Sequence, residues 1–200
     1  MIDKSSTLTW LSYADNSYIA TRLLWFTGFF IEAPVNSHRT LELYLKAFLI
    51  GNGIQVKMGS PAWGHKLGKL YKGAVSVASD FENEDVYRRL KFFERYFDYV
   101  RYPSDSFGPN DGSLTWFSFD SNIAPLDELV AFIRPRISLD TADWATTNIN
   151  MLLADEKVAQ PHKLRALKHG NGFLDIINNK ATSTPNIKFN SEFDYDMPGC

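Results

Sequence analysis

Apolar side chains recur every three or four positions along most of the chain, which is the spacing of one face of an α-helix. In residues 33–50 the apolar stripe consists of Leu41, Tyr44, Leu45, Phe48 and Leu49. Asn36 or Ser37 can cap the start of this helix, and Gly51 and Gly53 favour its end because glycine adopts the left-handed conformation readily. We predict that this helix is the one around which the rest of the chain is organised.

Two charged residues lie one turn apart on the same helix. Glu42 precedes Lys46, the order in which an acid and a base stabilise a helix by about 0.2–0.5 kcal/mol. The simplest interpretation is a surface ion pair on the side of the helix that faces water.

The same periodicity predicts the other helices. A helix over residues 16–30 has Asp15 or Asn16 as its cap, and another opens at Pro125 and is disturbed at Pro135. The remaining predicted helices cover residues 63–77, 85–102, 141–158 and 162–169. Pro103 should end the aromatic helix over residues 85–102, residues 104–112 have the composition of a loop, and residues 114–119 favour a short extended piece.

These elements predict an all-α fold, an up-and-down helical bundle of about five main helices over residues 1–160. Residues 161–200 are more polar and are expected to form a C-terminal extension packed on the bundle or on a partner. Aromatic side chains are in excess along residues 16–30 and 85–102, and this excess predicts a homodimer.

Composition narrows the class of protein further. With 44% hydrophobic residues, 22% charged residues and a formal net charge of −2, the chain is typical of a globular domain and not of a protein that binds nucleic acid through bulk charge. The single cysteine, Cys200, fits a reducing cytoplasm. The apolar run over residues 23–31 is too short to cross a bilayer, and we expect neither a signal peptide nor contact with a membrane. No cluster with metal-ligand spacing occurs, so we expect no metal and no cofactor.

Three short runs carry a resemblance to a known family. They are LELYLKAFL at residues 41–49, GHKLGKL at residues 64–70 and the triplet RYP at residues 101–103. In this order they resemble the HEPN family, the nucleotide-binding domain of higher eukaryotes and prokaryotes. The resemblance implies a helical bundle that is often a homodimer. It also implies one of three roles: an RNA-cleaving toxin of a toxin–antitoxin pair, an inactive partner of a nucleotidyltransferase-like protein, or a nucleotide-binding module.

The active ribonucleases of that family carry an arginine followed, after four to six residues, by a histidine. None of the four histidines here follows an arginine at that spacing. Arg165 and His169 are separated by three residues, and they lie outside the resembling helices. The spacing places a cation and an imidazole on one helix face, so its absence argues against ribonuclease activity by that route.

The residues that remain as candidates for ligand binding are His65, Lys66, Lys69, Arg101 and Tyr102. His65 with its two lysines can hold a phosphate, although a lone histidine near a helix start is more often a cap or a packing residue. Arg101 with Tyr102 can clamp a phosphate or stack on a base, or Arg101 can simply satisfy carbonyls at the helix end. The favoured function is a non-catalytic module that binds a nucleotide, RNA or a partner protein. The alternative is a metal-independent ribonuclease with a diverged site that uses His65 and Arg101.

Overall fold

The computed structural model describes residues 4–56, 65–101, 119–155, 160–179 and 187–189. The helices in these residues are α1 (Lys4–Phe26), α2 (Glu32–Gly51), α3 (Leu67–Val77), α4 (Glu84–Arg101), α5 (Phe119–Ile133), α6 (Thr141–Ala145), α7 (Asn148–Ala154), α8 (Pro161–Lys168) and α9 (Leu174–Asn178). Single 3-10 turns cover Ser79–Phe81 and Arg134–Arg136. The described part of the chain contains no β-strand, so the predicted all-α bundle is confirmed.

Helix α2 occupies the centre of the bundle, as predicted. It packs against α1, α3, α4 and α5, and its residues Leu41, Tyr44 and Leu45 are fully buried. A short turn joins α1 to α2, and Gly28 in that turn adopts a positive φ of 81°. At the other end of α2, Gly53 also has a positive φ, of 82°, which confirms its predicted role, whereas Gly51 is the last helical residue and does not adopt the left-handed conformation.

Both of the first two helices begin earlier than predicted. Helix α1 starts at Lys4, so Asp15 is not a cap but lies buried in the middle of the helix. Helix α2 starts at Glu32, so Ser37 is also internal, and its hydroxyl donates to the carbonyl of Ala33 at 2.9 Å. Serine, threonine and asparagine favour caps when local preference decides, but packing of the buried side of each helix overrides that preference here.

Other predicted helix boundaries also need correction. Helix α5 begins at Phe119, so Pro125 lies inside it, where it removes one backbone hydrogen bond without ending the helix. The single helix predicted over residues 141–158 is instead α6 and α7, divided next to Thr147, whose hydroxyl donates to the carbonyl of Trp144 at 2.8 Å. The predicted helix over residues 162–169 is confirmed by α8, whereas α9 was not predicted. Pro103 and the loop at 104–112 lie outside the described residues, as does the predicted extended piece over residues 114–119 except for Phe119, which is helical and begins α5.

Among the described residues, three ion pairs join a fully buried arginine to a buried carboxylate, and each of these pairs involves α5 or the turn that follows it. They are Asp15–Arg134 at 2.8 Å, Arg89–Glu128 at 2.7 Å and Arg22–Asp127. The side chains of all three arginines are fully buried. Because an unpaired buried charge is costly, these pairs fix how α1 and α4 lie against α5.

The C-terminal helices are attached to the bundle through two of these arginines. Arg22 donates through Nε to the carbonyl of Ala166 at 2.8 Å and through a second nitrogen to the carbonyl of His169. Arg134 donates to the carbonyl of Ile177. Helix α8 packs on α1, and α9 packs on α5. Among the helices of the described residues, none is long and apolar enough to span a membrane.

Candidate functional site

One predicted candidate, His65, contacts the central helix through Glu42. His65 precedes α3, and its Nδ1 lies 2.9 Å from Oε2 of Glu42, while the ammonium of Lys46 donates to the other carboxylate oxygen. One turn before Glu42 on the same helix lies His38. We call His38, Glu42, Lys46 and His65 the Glu42 cluster.

The prediction that Glu42 and Lys46 form an exposed surface pair is wrong. Glu42 is only 6% exposed and Lys46 only 8%. The ammonium of Lys46 lies 5.5 Å from the ring centroid of Trp10 on α1, and His65 covers the carboxylate. The charged positions lie directly beside the apolar stripe, and on a central helix that stripe is wide enough to bury them.

Glu42 is held in its ionised form. Burial alone would raise the pKa of this carboxyl, but the hydrogen bonds and charges of Lys46 and His65 together lower it below its usual range. An ionised carboxylate only accepts hydrogen bonds, so Nδ1 of His65 must donate to it. In the neutral imidazole of His65, Nε2 is therefore the nitrogen that can accept a proton, and the side chain is 75% exposed.

His38 is the member of the cluster that the sequence did not single out. It is 1% exposed, its ring stacks on Phe97 with centroids 4.1 Å apart, and its Nε2 has no hydrogen-bond partner among the described residues. Burial lowers the pKa of His38, against the opposing charges of Glu42, Glu94 and Asp98. The only signal in the sequence is its position one turn before Glu42 on α2.

The two candidate lysines lie at the start of α3, next to His65. Both Lys66 and Lys69 are exposed, and the first turn of α3 contains no acidic residue. An acidic neighbour lies on α4, where Oε1 of Glu94 is 3.5 Å from the backbone nitrogen of Gly68. Positive side chains at the positive end of a helix dipole favour the approach of an anion.

The other two candidates cannot be joined to this cluster. Arg101 is the last described residue of α4, and its side chain and all of Tyr102 lie outside the described residues, so the predicted end of this helix at residue 102 stays a prediction. The described structure therefore brings together His65, Lys66 and Lys69 from the predicted set. Tertiary packing adds Glu42, Lys46 and His38.

The described side chains include no group of three or more histidine, cysteine, aspartate or glutamate residues arranged to hold a metal ion. What the Glu42 cluster offers instead is an exposed imidazole whose orientation is fixed by a buried carboxylate, beside two exposed cations. Such an arrangement can contact a phosphate and can exchange a proton with a bound group.

Comparison with known proteins gives one match. No curated protein and no solved structure matches the chain significantly. A family model described as the HEPN domain matches residues 7–115, which include most of α1, all of α2 to α4 and all members of the Glu42 cluster. This match covers more than half of the chain and agrees with the all-helical architecture. The protein therefore belongs to the HEPN domain family.

Proposed function

We propose that the protein is a nucleotide- or RNA-binding module in which His65, Lys66 and Lys69 contact phosphate groups. The observation that carries this proposal is the contact of His65 with Glu42, which holds an exposed imidazole beside two exposed lysines. Membership of the HEPN family supports a role with nucleotides or RNA. A small set of fixed cations suits a chain of net charge −2, because the recognition does not depend on bulk charge.

Binding of a labelled single-stranded RNA and of a panel of nucleotides, measured at low salt, tests this proposal. Replacing Lys66 and Lys69 together by alanine should weaken binding by about tenfold or more and reduce its dependence on salt. Lys72→Ala is the matched control, since Lys72 is an exposed lysine further along α3. Affinity that is equal in the double variant and the control would refute the proposal.

A ribonuclease is the second candidate, and the orientation of His65 is the observation that favours it. A carboxylate that accepts a hydrogen bond from one imidazole nitrogen fixes the tautomer of the ring. The other ring nitrogen is then able to take or give a proton. In this candidate His65 acts as the acid or base and Arg101 contacts the phosphate. No metal is required.

An RNA cleavage assay in the presence of a chelator separates the two candidates. If the protein cuts RNA and the His65→Ala and Arg101→Ala variants do not, the ribonuclease is supported. If RNA binds uncut, the binding module is supported. Cutting that persists unchanged in both variants would exclude this site as the catalytic one.

We also propose that the module acts as a homodimer. Of the described aromatic residues on which the dimer was predicted, five lie in the core of one chain: Tyr18, Trp25, Phe92, Phe93 and Tyr96. The support now comes from Phe29, Phe30 and Ile31, three consecutive apolar residues in the α1–α2 turn that are 54%, 40% and 56% exposed. The nucleotidyltransferase-like partner implied by the family resemblance stays a prediction.

A further inference from the structure

A second cationic surface lies on α8, outside the residues matched by the family model. A shallow cavity of about 410 Å³, broadly open to solvent, is lined there by Pro161, Leu164, Arg165, Lys168 and His169. These positions follow the spacing of one helix face, so the cavity lies along a single side of α8 and the turn after it. Two of the lining residues are apolar, and three carry nitrogen groups that can donate to an anion.

The charge of this segment differs from that of the whole chain. Residues 160–172 contain three lysine or arginine residues, two histidines and no aspartate or glutamate, whereas the chain as a whole has a formal net charge of −2. The positive side chains of the cavity therefore belong to a segment of the chain that itself contains no acidic residue. Such a local field attracts small anions and anionic ligands.

One aromatic ring packs against two of the cavity residues. The guanidinium carbon of Arg165 lies 5.4 Å from the ring centroid of Phe26 on α1. The ring of His169 meets the same ring edge-on, with centroids 5.0 Å apart and an interplanar angle of 69°. Phe26 thus contacts both side chains and favours the conformers that keep them together at the cavity.

The backbone beneath the cavity is fixed to the core as well. Arg22 donates to the carbonyls of Ala166 and His169, and its own position is fixed by the buried pair with Asp127. The backbone nitrogen of His169 donates to the carbonyl of Arg165 at 2.9 Å. The end of α8 is therefore a rigid platform, although the side chains on its outer face are exposed.

We propose that this cavity binds the phosphate group of a nucleotide, either free or at the 5′ end of an RNA strand. Arg165 supplies a planar fork that matches phosphate geometry, and Lys168 and His169 supply further donors beside it. Pro161 and Leu164 give an apolar surface for the nucleoside, and the volume of the cavity is that of a small-molecule site. The site is separate from the Glu42 cluster and does not depend on the function proposed for that cluster.

Titration calorimetry with AMP and with adenosine, using the full chain, tests the proposal. AMP should bind and adenosine should bind at least about tenfold more weakly, because the phosphate provides the main contacts. The Arg165→Ala and Lys168→Ala variants should each lose about tenfold in AMP affinity. Lys163→Ala and His162→Ala are matched controls on the same helix, since neither residue lines the cavity.

The two sources of the phosphate are separated by a pair of RNA oligonucleotides that differ only in a 5′ phosphate. The proposal is supported if the unmodified protein binds AMP, or binds the phosphorylated oligonucleotide more tightly than the other one. This binding, or this preference, must be lost in Lys168→Ala and kept in Lys163→Ala. The proposal is overturned if Lys168→Ala and Lys163→Ala lose binding affinity equally. It is also overturned if the unmodified protein neither binds AMP nor prefers the phosphorylated oligonucleotide. AMP binding at α8 should persist in His65→Ala. A negative result for the α8 site is therefore distinguishable from a negative result for the function proposed for the Glu42 cluster.

Discussion

Burial of His38 makes the stability of the protein depend on pH. The imidazole is 1% exposed and stacked on Phe97, and burial lowers its pKa below the ordinary value of 6.5 despite the nearby charges of Glu42, Glu94 and Asp98. The unfolded chain therefore binds a proton at a higher pH than the folded one. The stability that neutral His38 contributes is fully present above pH 6.5 and is lost as the pH falls towards the pKa of the folded state.

We expect the His38→Gln variant to show a smaller decrease in the free energy of unfolding than the unmodified protein when the pH falls from about 7 to about 5. Glutamine does not titrate, and its amide can replace the hydrogen bond that His38 makes with the backbone of His65. Urea unfolding at several pH values measures the slope, with the exposed His162→Gln as the control that should leave it unchanged. An unchanged slope in His38→Gln would show that protonation of His38 does not limit stability.

Removing the charge of Glu42 should lower the free energy of unfolding. The Glu42→Gln variant keeps the shape of the side chain but leaves the ammonium of Lys46, 8% exposed, without a counter-charge. We expect a loss of about 1–3 kcal/mol in the free energy of unfolding, more than an exposed pair would give. Glu32→Gln, at the exposed start of the same helix, should cost less than about 0.5 kcal/mol. A loss as small as that of the control would mean that the pair behaves as a surface pair.

The residues of the candidate site differ in how far the sequence could reveal them. His65 and its two lysines were found because they are adjacent in the chain and cationic. The contact of His65 with Glu42 joins positions 23 residues apart, and the burial of His38 depends on packing against α4. Local spacing carries no information about either contact, so the carboxylate that orients His65 was interpreted as part of a surface pair.

At the scale of elements, helix existence was easier to predict than helix boundaries. Helices α2 and α4 have an unbroken apolar stripe and were found, but the first half of α1 is rich in serine and threonine and was missed. Asp15 was expected to cap α1 because its partner, Arg134, is 119 residues away and cannot be identified from local spacing. Local propensity carries no information about such a long-range pair, so it assigned a cap to a residue that lies inside the helix.

The pair between Asp15 and Arg134 should be among the main determinants of how α1, α5 and α7 pack. Arg134 donates to both carboxylate oxygens of Asp15 at 2.8 and 2.9 Å, and to the hydroxyl of Thr147 at 2.8 Å. We expect Arg134→Met to reduce the free energy of unfolding by about 3–5 kcal/mol, because Asp15 is left charged and buried. Chemical denaturation measures this change.

Two further variants make that measurement specific. Lys91→Met breaks the half-exposed pair with Glu94 on α4 and should cost less than about 1 kcal/mol. The double variant Asp15→Leu with Arg134→Met should recover part of the loss, since no unpaired charge remains. If Arg134→Met costs no more than Lys91→Met, the buried pair does not stabilise the packing of these helices.

At the scale of the whole molecule, the proposed homodimer gives a testable change of mass. The double variant Phe29→Ser with Ile31→Ser removes apolar side chains that are more than half exposed in one chain, so it should weaken association with little effect on folding. Sedimentation velocity at micromolar concentration should give a dimer for the unmodified protein and a monomer for the variant. Tyr13→Ser is the control and should leave the dimer unchanged, because Tyr13 is 61% exposed but lies on α1, away from the α1–α2 turn in the sequence. A monomeric unmodified protein would contradict the proposal.

The C-terminal segment, predicted over residues 161–200 as an extension packed on the bundle or on a partner, should be required for the stability of the whole bundle. Leu167 and Ile177 are fully buried, and Arg22 and Arg134 would lose their carbonyl acceptors if the segment were absent. We expect a chain ending at residue 160 to unfold at a lower urea concentration, with a loss of at least about 3 kcal/mol.

Point variants in α8 show whether that loss comes from packing. Leu167→Ala should cost about 2–5 kcal/mol, because it leaves a cavity in the core, whereas Leu164→Ala on the half-buried side of α8 should cost less. If the shortened chain is as stable as the full one, residues 161–200 are a separate extension and the contacts of Arg22 and Arg134 with it add nothing to folding. If both the shortened chain and Leu167→Ala are destabilised, α8 is part of the core, and the cavity on its outer face is then held by the same contacts that stabilise the fold.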